Sequence, residues 1–282
     1  MNVSEVSQEL YLRHIAHREA QFALTQPKRP RSRRDVVREF GDEKWGHLVN
    51  MATVDSRSLL RQIEHAHDDL DSNQFFSMNG RIFLGSREAV LDLQLEWYRS
   101  VLAPFAQRAS CFVELGAGFG SKMLRLAVMD EFRFMPLIAG ELTTSGCDLL
   151  RLCAASEGIE IEVGMVDLGP HPHYEIDIPK GALIFTSFAM HYWPEASTES
   201  WEALASLDPV GVAHFEPCYE LLSPSHPLES ASRSYIENHA YTRDIFSSLA
   251  LFCRNQQSTL TISPNVFGEN PLLPASALVW AP

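Results

Sequence analysis

The chain has 282 residues, 45% of them hydrophobic, enough to bury the core of one large α/β domain carrying an extension. Its 36 Asp and Glu outnumber 23 Lys and Arg, giving a formal net charge of -13, which argues against a nucleic-acid partner because phosphate contacts need clustered basic groups. No apolar run reaches the roughly 18–20 residues of a membrane span, the N-terminus lacks the basic-then-apolar order of a signal peptide, and the 5 cysteines are scattered without a C-x-x-C pair, so the expectation is a cytoplasmic protein with reduced thiols and no membrane partner.

Residues 1–35 are polar and carry the basic run Pro27 to Arg34, which reads as a solvated connector. From Asp35 to His67 the pattern is helical, with Leu59, Ile63 and His67 at helical spacing. Two apolar segments then flank Asn79-Gly80, the pair preferred in a two-residue hairpin turn. Arg87 to about Leu102 reads as a long amphipathic helix stopped before Pro104.

The rhythm then changes to strands alternating with helices. Strands are predicted at "SCFVELGAG", "MPLIAGEL", "IEIEVGMVDL", "GALIFTSFAM" and "VGVAHFEP", with helices at "SKMLRLAVMDEF", "SGCDLLRLCAASEG" and "STESWEALASL". Such alternation means βαβ crossovers and a parallel sheet. A helical stretch from about Leu228 to Leu251 follows. Two β-like runs, "STLTIS" and "SALVWAP", end the chain as an antiparallel pair.

The chemistry concentrates in "CFVELGAGFGSKMLRLA", Cys111 to Ala127. Glycines between a parallel strand and a helix let a ligand approach the backbone closely, at the carboxyl ends of the strands. A dinucleotide turn reads G-x-G-x-x-G. Here the glycines are Gly116, Gly118 and Gly120, with Ser121 where the last of that pattern would stand and Glu114 two residues before the first. A carboxylate there suits a cationic ligand and opposes a pyrophosphate. Glu141 follows 21 residues past Gly120 at the end of the next strand, and Asp167-Leu168 ends the one after. An acid at the second strand end can accept ribose hydroxyls.

The order acid-x-Gly-x-Gly-x-Gly, with Glu141 and Asp167, resembles class I S-adenosylmethionine-dependent methyltransferases over about Ala109 to Trp280. The resemblance implies S-adenosyl-L-methionine as cofactor. It would be held by Glu114, Gly116, Ala117, Gly118, Gly120, Glu141, Leu142, Asp167, Leu168 and Ser187, with Asp167 facing the adenine amine and Leu168 packing on its ring. It implies an α/β fold, Rossmann-like and doubly wound, with a seven-stranded, mostly parallel sheet and an antiparallel last strand. Residues 1–105 would form a helical extension or cap with a hairpin, and 106–282 the cofactor-binding domain. "HFEPCYE" and "NPLLPASALVW" resemble bacterial methyltransferases of secondary-metabolite or sugar pathways.

Methyl transfer from a sulfonium needs alignment, and a base only if the acceptor is protonated. His191, Tyr192 and Trp193 follow the fourth strand, and His214 and Glu216 lie on one side of the fifth by alternation. His191, Glu216 and His214 are the catalytic candidates. Tyr192, Trp193, Tyr219, Tyr235, Asn238 and Tyr241 are the candidates for contact with the acceptor, the last three near one helical face. The opposing readings are a boundary histidine, a core Trp193, a structural salt bridge at Glu216 and a packing face around Tyr235. His191, His214 and Glu216 also match the composition of a two-histidine, one-carboxylate iron set without its local spacing, so no metal is expected. The function expected is methylation of a small polar metabolite in a biosynthetic, secondary-metabolite pathway. The rivals are a peptide or protein methyltransferase, a non-catalytic methyltransferase-like binding protein and an NAD-dependent oxidoreductase. The oligomeric state is left open, a homodimer included.

Overall fold

The computed structural model describes residues 3–25, 32–52, 58–193 and 195–282, with side chains described throughout except at 17–25. Residues 27–31 of the basic run lie outside the described residues. The chain opens with β1 (Ser4–Val6) and α1 (Gln8–Thr25). A helical run follows, made of α2 (Arg33–Val37), a π-helical stretch (Arg38–Trp45) and α3 (Gly46–Met51). Then come α4 (Leu59–Asp68), β2 (Asn73–Met78), β3 (Arg81–Ser86) and α5 (Arg87–Ala106). The alternating part holds β4 (Phe112–Leu115), α6 (Ser121–Ala127), β5 (Leu137–Glu141), α7 (Thr144–Glu157), β6 (Glu162–Asp167), β7 (His173–Tyr174), β8 (Leu183–Ser187), α8 (Thr198–Ser206) and β9 (Gly211–Pro217). The chain closes with α9 (Pro227–Asn238), α10 (Ile245–Gln256), β10 (Thr259–Gly268) and β11 (Ala275–Ala281).

These strands form one sheet in the order β1-β3-β2-β10-β11-β9-β8-β4-β5-β6-β7. The pairs β4–β5, β4–β8, β5–β6 and β8–β9 are parallel. β11 runs antiparallel to both β9 and β10, as the ending of the chain suggested. The sheet is 11-stranded rather than seven-stranded. The additions are at its edges. The hairpin turns through Asn79 and Gly80, both at positive φ, and pairs Phe267 and Gly268 of β10 with Met78 and Ser77. An edge that would otherwise be bare is thereby covered. β1 and β7 are too short to leave an alternating pattern.

Three sequence expectations change. α5 runs through Pro104 to Ala106, because a proline so near the end removes a single helical donor. The helix after β4 stops at Ala127. The stretch 228–251 is two helices, broken where Ala240 takes a positive φ of 53°.

β4, β8 and β9 are buried along their whole lengths. One face carries α5 and α6, where Tyr98 stacks on Phe215 at 3.9 Å between centroids. The other carries α8 and α10, packed around Trp201 and Trp280. α3 and α4 lie on α6 and α7 through Trp45, Leu48, Ile63, Phe119 and Leu149. The strand order reverses at β4, whose neighbours are β5 and β8, so a crevice opens at the carboxyl ends there.

One polar clip fixes α4 to α6. Glu64 is 1% exposed, accepts from Ser121 Oγ at 2.5 Å and takes both forks of Arg125 at 2.7 and 2.6 Å. A buried charge stripped of its partner is costly, whereas a pair replaced by apolar groups is not. Arg125→Met should therefore lower the unfolding free energy by about 3 kcal/mol in urea titration, and the double variant Arg125→Met/Glu64→Leu should recover most of it.

Candidate functional site

At the carboxyl ends of β4, β5, β6 and β8 lies a cavity of about 800 Å³, inside the roughly 300–1,000 Å³ range of small-molecule sites. Glu114 and Gly116 to Gly118 form its base, with Glu141, Leu142, Asp167 and Leu168 along one side. Ser187, Phe188, Ala189, Tyr192 and Trp193 form the other. Arg33, Phe40 and Trp45 roof it from α2 and the π-helical stretch.

The turn after β4 works by shape. Gly116 has φ +80°, and a Cβ there would stand 2.4 Å from the Ala189 Cβ. Gly118 has φ +56°, and its Cβ would meet the Trp45 ring at 3.0 Å. Only glycine fits two such approaches. Gly120 is a packing residue instead, outside the cavity lining, against Leu150 of α7.

The turn's donors are already committed. Gly116 and Ala117 donate to Gly140 O at 2.8 and 3.0 Å, and Gly118 donates to Glu141 Oε2 at 3.0 Å. Met123, in the first turn of α6, donates to Glu114 Oε2 at 3.1 Å. A carboxylate thus occupies the helix end where a phosphate would otherwise be attracted. These four N–H groups are therefore not free to meet a ligand.

The acids are buried and unevenly compensated. Burial pushes the Glu114 carboxyl up to about 8, against the pull of Lys122 and the Met123 N–H, with Glu141 adding to the rise. Glu141 is also raised by burial, although the Thr143 hydroxyl and the Gly118 and Thr143 N–H groups oppose it. Lys122 stands 3.6 Å from Glu269. Burial works against its charge, but Glu269, Asp68, Glu114 and Glu64 hold its pKa above the ordinary value. Asp167 pairs with Arg33 and also accepts from Gly169 N–H at 3.0 Å. His67 is held below its ordinary pKa by burial.

The residues around the ends of β8 and β9 divide differently from the sequence reading. Tyr192 and Trp193 line the cavity; His191, His214 and Glu216 do not. His214 is a core residue. Trp280 Nε1 donates to its Nε2 at 3.0 Å, so Nδ1 carries the proton and meets Thr186 Oγ1 at 3.1 Å. Burial depresses its pKa to about 3, so it stays neutral and has no ring nitrogen left for a base or a metal. Thr186 then donates to Glu216 Oε1 at 2.9 Å, which also accepts from Ala189 N–H at 3.0 Å. Glu216 Oε2 faces His191 Nδ1 at 3.5 Å, both residues being buried. His191 sits behind Tyr192 and against Tyr241, ring centroids 4.0 and 4.7 Å away.

Tyr219, Tyr235, Asn238 and Tyr241 lie outside the cavity lining. Tyr219 donates to Glu237 and lies under the Arg233 guanidinium. Tyr235 stacks on His239 at 3.9 Å. Tyr241 falls beyond the end of α9 and backs Tyr192, so the shared helical face does not form. Sequence reasoning missed Arg33, Phe40, Trp45, His67, Asp68, Lys122 and Glu269 in the lining. Lys122, beside the glycine turn, had a signal in its position. The others come from elements whose path over the strands no local motif records.

Glu114 makes stability depend on pH. Its folded pKa of about 8 exceeds its ordinary value of 4.5, so the folded state holds the extra proton between those limits. Its contribution is present below the lower value and is lost as pH rises toward the upper, at up to about 1.4 kcal/mol per pH unit. Urea unfolding of wild type from pH 5 to pH 8 should show this falling slope. Glu114→Gln should flatten it.

No protein-family model and no curated protein matches the chain by sequence. Solved structures do match in shape. An O-methyltransferase family protein from Burkholderia thailandensis is 12% identical, with a TM-score of 0.53 over 97% of this chain and 70% of that one. Geranyl diphosphate C-methyltransferase from Streptomyces coelicolor A3(2) is 12% identical, with a TM-score of 0.49 over 70% and 80%. The plantazolicin methyltransferase BpumL is 12% identical, with a TM-score of 0.46 over 84% and 96%. The chain has the fold of the class I S-adenosylmethionine-dependent methyltransferases.

Proposed function

We propose that the protein is an S-adenosyl-L-methionine-dependent methyltransferase acting on a small polar metabolite of a biosynthetic, secondary-metabolite pathway. The observation that carries this reading is the acceptor set of the cavity. Glu114, Glu141 and Asp167 stand at the ends of three successive parallel strands around a glycine cradle in which a Cβ would clash. Three acceptor groups suit a ligand bearing an ammonium, ribose hydroxyls and an exocyclic amine. The same set disfavours a dinucleotide, whose pyrophosphate would meet Glu114 at the start of α6. When bound, the cofactor supplies a methyl group on a sulfonium, already activated for transfer.

The chain's own residues then bind, orient and exclude water. Glu141 accepts from the ribose, and Asp167 accepts from the adenine amine once Arg33 yields it. Ser187, Phe188 and Tyr192 bound the side from which the acceptor enters. Glu216 and His191 serve as a positioning pair behind that wall, because Glu216 Oε1 is occupied twice and neither residue lines the cavity. The N-terminal residues act as a cap, with Arg33, Phe40 and Trp45 closing over the cavity. Such a roof favours a metabolite over a polypeptide chain. All 5 cysteines are free and buried, which accords with a cytoplasmic setting; among the described residues no helix is long and apolar enough to cross a membrane.

Isothermal titration tests the reading. Wild type should bind S-adenosylhomocysteine saturably, and binding of neither it nor S-adenosylmethionine would overturn the proposal. Glu141→Ala and Asp167→Ala should each weaken binding by about 1–3 kcal/mol, the cost of a lost hydrogen bond to a buried partner. Unchanged affinity in both would refute the placement of ribose and adenine.

A further inference from the structure

The π-helical stretch Arg38–Trp45 lies between α2 and α3, and its last bond runs from Gly46 N–H to Gly41 O. Such i→i+5 turns are rare and frequently mark functional sites. This one places two rings. Phe40 and Trp45 are five residues apart, and both line the cavity. At 3.6 residues per turn, α-helical residues five apart diverge by about 140°. An i→i+5 turn brings them onto one face. Phe40 then packs edge-on against Tyr192 at 4.8 Å, and Trp45 edge-on against Phe119 at 5.4 Å.

Trp45 carries a second, independent feature. It is 6% exposed, and its Nε1–H is buried without an acceptor among the described residues. An indole nitrogen only donates, and buried donors are almost always satisfied. An acceptor on a bound molecule would complete it. The ring rests on Gly118, at the base of the cavity, where the Gly118 N–H meets Glu141.

We propose that Trp45 is a cofactor-contact residue, presented by the π-turn, whose ring covers the ligand at Gly118 and whose N–H donates to a ligand oxygen. That oxygen belongs to a ribose hydroxyl or to the methionyl carboxylate. The proposal rests on the methyl-donor reading above. Gly46 makes the presentation possible, since a Cβ there would stand 2.7 Å from Gly41 O and force the turn open.

The test measures affinity of wild type, Trp45→Phe and Gly46→Ala for S-adenosylhomocysteine and for 5′-methylthioadenosine, which lacks the carboxylate, alongside thermal melting. Trp45→Phe keeps an aromatic ring but removes the donor together with part of the indole's area, so it should melt below wild type and bind S-adenosylhomocysteine about tenfold more weakly. Gly46→Ala, which turns the ring, should lose at least as much; if it fails to fold, Trp45→Phe decides alone. Loss with both ligands places the acceptor on the ribose, and loss with S-adenosylhomocysteine alone places it on the carboxylate. Either result supports the proposal. Wild-type affinity of Trp45→Phe for both ligands overturns it, whereas a wild type that binds neither ligand overturns the methyl-donor reading instead.

Discussion

The site depends on how closely the chain leaving β8 approaches the chain leaving β4. Gly116 and Ala189 meet so tightly that a single Cβ would close the gap to 2.4 Å. The approach requires Phe188, a bulky residue, to sit at φ 51°. Such a conformation costs about 1–3 kcal/mol and persists only where the surroundings enforce it. Here the enforcement is visible. Glu216 holds the Ala189 N–H, Thr186 holds Glu216, neutral His214 holds Thr186, and Trp280 fixes the His214 tautomer. A strained wall of the cavity is thus pinned from the antiparallel last strand, through groups that never reach the cavity.

Charge is the second constraint. Taking Glu114 and Glu141 out of water disfavours their ionised forms, and the compensation present is partial. Lys122 attracts Glu114, yet it also lies beside Glu269. The donors that usually make a glycine turn into an anion site are spent on Gly140, Glu141 and Glu114. What remains is a cavity short of positive charge at its base. A cationic ligand would relieve this imbalance, and an anionic one would deepen it.

The alternating strands and helices were legible because the buried strands are short apolar runs, and β4, β5 and β6 end at a glycine or an acid. The three acids were legible because their chain spacing matches the strand ends. The edges were less so. β1 and β7 span 3 and 2 residues and leave no periodicity. His214 misled because strand alternation gives the side of a residue and not its depth. It does share a side with Glu216, since both meet Thr186, but it lies one step too far into the sheet. Tyr235, Asn238 and Tyr241 share a face only if one helix carries all three, and Ala240 ends that helix path. The π-turn was invisible because apolar spacing presupposes 3.6 residues per turn. Phe40 and Trp45 fall off any α-helical stripe, so their common direction appears only with the backbone in place.

The roof and the sheet are therefore coupled at both ends of the cavity. At one end Arg33 of α2 engages Asp167 of β6. At the other Trp45 rests on Gly118, and the Glu64–Arg125 clip ties α4 to the helix that begins beside it. Between them the Ser145 hydroxyl donates to Gly41 O at 2.7 Å, holding the π-turn on the start of α7. The cap thus touches the sheet at the end of each acidic strand. The N-terminal element bounds the cavity from above, while the sheet fixes the acids. This division explains why the motif in the sequence speaks to the glycine turn and its acids, and why the opposite wall and the roof of the cavity are written in residues that only the fold assembles.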